Sequence, residues 1–171
     1  MGLKQVGQAI SSFLHALVLL FCVTLVCTSP WIVIGRQLRT NASFWDQFHV
    51  YGGLFTALLA MLFTLKVCAK GQWRLFFPWL IFDFSQLISD IKGLAKGRLP
   101  VSGGKGLISI IEGLGVILLL LVCVTGLVWF LVAPSDAITW RDYHKVFAQG
   151  FIGFLVLHAL LALLHIRDFF D

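Results

Sequence analysis

The sequence predicts an all-α membrane protein, a bundle of four transmembrane helices with an amphipathic cytoplasmic helix between the second and third spans. Of its 171 residues, 59% are hydrophobic and only 12% are charged. Soluble domains carry about a quarter charged residues, so a chain this apolar cannot maintain a soluble surface. Four separate segments are also long enough to cross a bilayer, whose hydrocarbon layer needs about 20 apolar residues.

The predicted spans cover residues 11–34, 48–67, 107–132 and 144–166. The first could be taken for a signal peptide, but its apolar sequence continues beyond Pro30 and only Lys4 precedes it. Signal peptides have a shorter apolar core, so a retained helix is favoured. We therefore expect residues 1–171 to form a single transmembrane domain.

The basic residues predict the orientation of the chain. Nine of the thirteen lysines and arginines flank one side of the spans and four flank the other. Positive loops stay in the cytoplasm, which places both termini there and argues against nucleic acid as the reason for the net charge of +5. The inner residues are Lys4, Lys66, Lys70, Arg74, Lys92, Lys96, Arg98, Lys105 and Arg167, and the outer ones are Arg36, Arg39, Arg141 and Lys145.

The segment between spans two and three contains apolar residues at helical spacing from Phe84 to Ala95, with polar residues on the other side. This pattern predicts an amphipathic helix. Two interpretations are open: the helix lies on the inner membrane surface, or it packs only on the protein itself.

The sequence lacks the signature motifs of several functional classes. The four cysteines form no Cys-x-x-Cys-His motif, which a c-type haem would need. The sequence also has no nucleophilic triad, P-loop or dinucleotide fingerprint. The cysteines are interpreted as small buried hydrophobic residues.

The histidines are the main functional signal. All five lie within the predicted spans or at their ends, where an ionisable group is costly and indicates function. A neutral histidine bonded to a neighbouring helix explains any one of them equally well. His49 and His144 lie at the outer starts of spans two and four, whereas His15 and His158 lie near the inner ends of spans one and four. The chain thus offers one outer pair and one inner pair.

The spacing on span four favours two separate sites. His158 follows His144 by fourteen residues, which returns to nearly the same helix face after a rise of about 21 Å. Zinc would need three or four ligands at one depth. Two pairs instead suit two bis-histidine haems. Small residues follow His49 on its side of span two and leave room for a macrocycle, although close helix packing explains them too; they are Gly52, Gly53, Thr56 and Ala60.

The motifs QFHVYGG in span two and YHKVFAQGFIGFLVLHALLALLH in span four resemble the prokaryotic cytochrome b561 family. The resemblance implies that residues 1–171 form a transmembrane cytochrome b domain holding two haem b groups. It implies that His15 and His158 ligate the inner haem iron and that His49 and His144 ligate the outer one. The cytochrome subunits of formate dehydrogenases and nickel–iron hydrogenases share this ligand layout.

Two features depart from the family pattern. Glu112 stands in span three where family members carry histidine, and the stretch GRLPVSGGKG is closer to the dehydrogenase-anchor subunits. His165 matches a family histidine that is not usually an iron ligand. Glu112, His165 and Lys105 all fall near the inner leaflet and are candidates for a quinone or proton site, although a salt bridge to a basic loop residue explains Glu112 as well.

Three functions follow from these observations. The first is a dihaem cytochrome that carries electrons across the bacterial inner membrane and exchanges them with the quinone pool, possessing quinone oxidoreductase activity if it acts as an enzyme. The second is the cytochrome subunit that anchors a periplasmic dehydrogenase, reductase or hydrogenase, whose catalytic subunit or redox partner would be another chain. The third is a haem-free membrane anchor.

Overall fold

The computed structural model describes residues 3–100 and 104–167, and these ranges are helical without a strand. Short 3-10 turns join some of the helices, at Ser29–Trp31, Ala69–Gly71 and Pro78–Ile81. The α-helices of the described ranges are α1 (Leu3–Thr28), α2 (Phe44–Cys68), α3 (Trp73–Phe76), α4 (Ser85–Leu94), α5 (Leu107–Leu131) and α6 (Pro134–Arg167).

Helices α1, α2, α5 and α6 are long and apolar enough to cross a membrane. Their most apolar stretches bury only 6–33% of their residues inside the protein, so large apolar side chains such as Leu20, Leu65 and Val156 stay exposed. A soluble core would hide these side chains, whereas lipid solvates them. The predicted all-α membrane fold with four spanning helices is confirmed.

Helices α1 and α2 begin before their predicted spans, at Leu3 and Phe44, and two further differences have a clear physical reason. Helix α1 ends at Thr28, short of the predicted residue 34, because Pro30 has no backbone N–H and the chain tightens into a 3-10 turn. Helix α6 begins at Pro134, ten residues before the predicted start at His144. Proline suits the first helical position because its φ is already helical. His144 therefore lies inside α6 and not at its start.

The chain divides into two compact units. The first unit comprises residues up to 66 together with 119–149. Its core packs around Val50, Trp129 and Ala137, with Ile34, Leu38 and Trp140 among the partly buried neighbours. The indole N–H of Trp129 donates to the carbonyl of Gly35 at 3.2 Å, which ties the loop after α1 to α5.

A buried carboxylate holds the loop between α1 and α2. Asp46 is 3% exposed, and it accepts hydrogen bonds from the backbone N–H groups of Val33 at 2.7 Å and Ser43 at 3.3 Å. The Ser43 hydroxyl accepts in return from the N–H of Asp46 at 3.1 Å, a reciprocal cap at the start of α2. This cap fixes the helix three residues before His49.

The second unit comprises residues 67–118 and those from 150 onward. The predicted amphipathic helix is present as α4, and its polar side chains bind the start of α5. Gln86 accepts from the N–H of Lys105 at 2.9 Å, and Asp90 accepts from the N–H of Leu107 at 2.8 Å. The ammonium group of Lys105 pairs with the Asp83 carboxylate at 2.8 Å.

The Asp83–Lys105 ion pair predicts an acid-sensitive connection. Its hydrogen bond and charge, with help from Ser85, lower the pKa of Asp83 from 3.8 to about 2. The pair's stabilising contribution is therefore complete above pH 4 or so and is lost as the pH falls toward 2. We expect Lys105→Gln to lower the melting temperature at pH 6, with the deficit shrinking as the pH approaches 2.

Thermal unfolding followed by circular dichroism in detergent measures this effect. Lys92→Gln is the matched control, because Lys92 makes no ion pair with a described residue. Equal melting temperatures for the two variants at pH 6 would contradict a stabilising Asp83–Lys105 pair.

Candidate functional site

His49 of α2 and His144 of α6 face one another in the first unit. Their ring centroids are 6.2 Å apart and the ring planes are perpendicular, at 90°. Both side chains are partly buried. The structure thus brings together the two residues predicted as the outer pair.

The orientation of the His144 ring is set by α5. Its Nδ1 lies 3.0 Å from the carbonyl oxygen of Val122 and 3.4 Å from the hydroxyl of Thr125. Because a carbonyl can only accept, Nδ1 of the neutral ring carries the hydrogen and donates it. Nε2 is then left with a free lone pair, which is the form that ligates a metal.

The His49 ring has an unsatisfied atom. Its Nδ1 is buried and has no hydrogen-bond partner among the described residues. Such an atom costs free energy, and a native structure normally compensates for it. The unsatisfied Nδ1 therefore indicates that a group other than the polypeptide lies beside the His49 ring.

The separation of the two rings fits a shared metal centre. Two imidazoles that bind opposite sides of one metal ion through bonds of about 2 Å have ring centroids roughly 6 Å apart. The 6.2 Å between His49 and His144 agrees with this arrangement. The residues present therefore fit bis-histidine ligation of a haem iron.

The small residues after His49 divide into two groups. A Cβ added at Gly53 would meet nothing within 4 Å, so open space adjoins the helix there. Thr56 and Ala60, further along, are closely packed, and the Thr56 hydroxyl donates to the carbonyl of Gly52 at 2.7 Å. Space for a macrocycle therefore lies near His49, whereas close helix packing explains Thr56 and Ala60.

The contribution of α5 to the site was not predicted from the sequence. A Cβ added at Gly126 would lie 3.2 Å from both Cε1 and Nδ1 of His144, so the glycine is what lets the ring reach the Val122 carbonyl. Thr125 is also buried. The available signal was the Thr-Gly pair itself, since small and hydroxyl residues in an apolar span commonly mark a helix contact.

The two inner histidines each stack on a phenylalanine. In the first unit, His15 of α1 stacks on Phe63 of α2 with ring centroids 5.6 Å apart and planes at 18°. In the second unit, His158 stacks on Phe154 at 5.4 Å, and Phe154 stacks on Phe151 at 5.8 Å. Aromatic rings thus line α6 on the approach to His158.

The candidates for quinone or proton chemistry have different settings. Lys105 is engaged by Asp83, so its charge is balanced. Glu112 lies five residues after the start of α5 and is partly buried. His165 belongs to α6, and its side chain lies outside the described residues.

Four helices able to span a membrane and a facing pair of imidazoles are typical of a membrane cytochrome that holds haem between histidines. The chain belongs to the prokaryotic cytochrome b561 family, whose sequence model matches residues 8–167. Comparison with curated proteins and with solved structures finds no match. The predicted family is confirmed, and with it a multi-pass bacterial membrane protein that carries haem b in membrane electron transfer.

Replacing Gly126 should disturb one haem. In Gly126→Ala the new methyl group crowds the His144 ring, so we expect a haem that is retained but has a shifted midpoint potential and altered low-spin EPR signals. Gly126→Leu should lose that haem. A redox titration with EPR spectra measures both effects. The matched control is Gly153→Ala on α6, where a Cβ meets nothing within 4 Å; equal spectra in the two alanine variants would contradict the role of Gly126.

Proposed function

We propose that this protein is a dihaem b-type cytochrome that carries electrons across the bacterial inner membrane and exchanges them with the quinone pool. The observation that carries the proposal is the His49–His144 pair, with centroids 6.2 Å apart and the tautomer of His144 set by Val122. Membership of the cytochrome b561 family supports the same cofactor.

In this proposal, His49 and His144 hold the outer haem, and His144 does so through its Nε2 atom. The Val122 carbonyl accepts from Nδ1 of His144, which fixes the ring angle and strengthens the imidazole as a donor to iron. The buried Val50, Trp129 and Ala137 form an apolar cluster in the same unit as the pair. Bound haem supplies reversible one-electron transfer, and the polypeptide supplies ligation, orientation and a low-dielectric setting.

We assign the second haem to His15 and His158. The support comes from the ligand layout of the family and from the fourteen-residue spacing on α6, which separates His144 and His158 by about 21 Å along the helix. Phe151 and Phe154 lie on α6 between the two histidines.

Exchange with quinone needs a proton route. Quinone reduction takes up protons with electrons, so a titratable group near the haem assists the step. Glu112 and His165 are the candidates to exchange that proton, and Lys105, paired with Asp83, contributes to the local charge balance. The partners are then a membrane quinone and a periplasmic redox protein or catalytic subunit, with both termini in the cytoplasm.

Single histidine replacements test the ligand assignments. His49→Ala and His144→Ala should each lose the same haem and keep the other, because the two residues share one iron. His15→Ala and His158→Ala should both lose the second haem. Haem-to-protein ratios and reduced-minus-oxidised spectra, taken with a redox titration, distinguish the two haems.

His165→Ala is the control, and it should retain both haems. Loss of different haems from His49→Ala and His144→Ala would disprove the shared site. A purified wild-type protein without a b-type α-band after reconstitution with haem would leave only the haem-free anchor. Co-purification of a large iron–sulfur or molybdenum subunit would instead assign the chain to a dehydrogenase complex.

Replacing Glu112 tests the proton route. If Glu112 moves the proton, Glu112→Gln should slow haem reduction by a short-chain quinol by about 10²-fold, the scale of general acid–base catalysis. Glu112→Asp should keep much of the rate, because it retains a carboxyl group. Stopped-flow absorbance measures the reduction rate, and dithionite reduction of each variant confirms that its haems are intact. Equal quinol rates in wild type and Glu112→Gln would remove Glu112 from the mechanism.

A further inference from the structure

We propose that the connection between α2 and α5 is itself a membrane-binding element, in which Phe82 and the apolar face of α4 lie in the lipid of the leaflet where α5 begins. The partner is the bilayer, with anionic headgroups beside the helix. The proposal is independent of haem binding and of quinone exchange, because it rests on the described residues 73–100 and 104–107 and on Gly113.

The depth of this connection follows from Gly113. A Cβ added at Gly113 would overlap the carbonyl oxygen of Phe76 and approach the Phe77 ring, so the backbone there touches α5. Gly113 lies six residues beyond the start of α5, which is about 9 Å along the helix. Because a 25-residue helix is only slightly longer than the hydrocarbon layer of about 30 Å, Phe76 lies at the depth of lipid chains.

The turn that follows can remain at this depth because its backbone groups are paired. The N–H of Leu80 donates to the carbonyl of Phe77 at 3.1 Å, and the N–H of Asp83 donates to that of Pro78, also at 3.1 Å. The N–H of Phe82 donates to the carbonyl of Trp79 at 3.3 Å. Irregular backbone is tolerated in a membrane only when such groups are satisfied.

The height of α4 is set by its bonds to the start of α5. Asp90 accepts from the N–H of Leu107, the first residue of the span, and Gln86 accepts from the N–H of Lys105. The approach is so close that a Cβ at Gly106 would overlap the Asp90 carboxylate. Helix α4 therefore lies at the level where α5 enters the bilayer.

The exposed face of α4 is the apolar one. Its polar residues Gln86 and Asp90 turn toward the protein, whereas Ile88 is 50% exposed and Ile91 is 53% exposed. Phe82, just before the helix, is 85% exposed. A surface helix of a soluble protein has the reverse arrangement. At the membrane boundary, an outward apolar face is instead buried among lipid chains.

The charges beside α4 fit an anionic lipid surface. Lys92 lies in the last turn of the helix, and Lys96 and Arg98 follow the helix; all three are exposed. Basic residues next to an interfacial helix are attracted to anionic headgroups, by about 1 kcal/mol each. The two interpretations of this helix are therefore combined: its polar side packs on the protein and its apolar side meets lipid.

Spin labels test which side meets lipid. The haem-loaded full chain, with its four cysteines replaced by alanine, receives one cysteine at Phe82, Ile88 or Ser89 and is reconstituted into vesicles containing phosphatidylglycerol. Oxygen concentrates in lipid and a nickel chelate stays in water. We expect labels at Phe82 and Ile88 to relax several-fold more with oxygen than with the chelate. Ser89 is exposed and lies about 100° around the helix from Ile88, toward the polar side, so it is the matched control and should show the reverse.

Two outcomes would overturn the proposal. If Ile88 and Ser89 show the same high exposure to the chelate, the apolar face lies in water. If the label at Ile88 is shielded from both reagents, another protein or a second copy of this chain covers the face. The haem spectrum of each labelled variant confirms that it is folded, so a changed spectrum cannot be mistaken for either result.

Discussion

The hydrogen bond from Nδ1 of His144 to the Val122 carbonyl is the interaction on which the candidate haem site depends. A helical carbonyl already accepts from its own i+4 N–H, but its second lone pair remains available. The His144 ring uses this acceptor at 3.0 Å, which sets its tautomer and its angle toward His49. Helix α5 contributes neither histidine of the pair, but its Val122 carbonyl determines the orientation of the His144 ring.

Hydrogen bonds from backbone N–H groups to buried side chains also hold the connections between the spans. Where the backbone leaves a helix in an apolar protein, each freed N–H needs an acceptor. Asp46 accepts two such groups, from Val33 and Ser43 near the two ends of the loop between α1 and α2, and Asp90 accepts the first N–H of α5. These two buried carboxylates are therefore structural, and each lies where a span begins.

Much of this arrangement was predictable, because hydropathy and histidine spacing are local. The four spans, α4 and the outer pair His49 and His144 follow from them. Hydropathy cannot find the start of α6 at Pro134, because the polar turns before His144 are helical without being apolar. Periodicity likewise defines two faces of α4 but not which one packs on the protein. That choice depends on Gln86 and Asp90 meeting N–H groups more than fifteen residues away.

Two glycines of α5 accommodate rings of α6. Gly115 and Gly126 are eleven residues apart, which is three turns, so they share one face of α5. Within the respective units, Gly126 receives the His144 ring and Gly115 receives the Phe154 ring, which in turn stacks on His158. Both rings belong to α6, and a side chain at either glycine would push one away. In each unit, the position of an α6 ring therefore depends on the absence of a side chain at a glycine of α5.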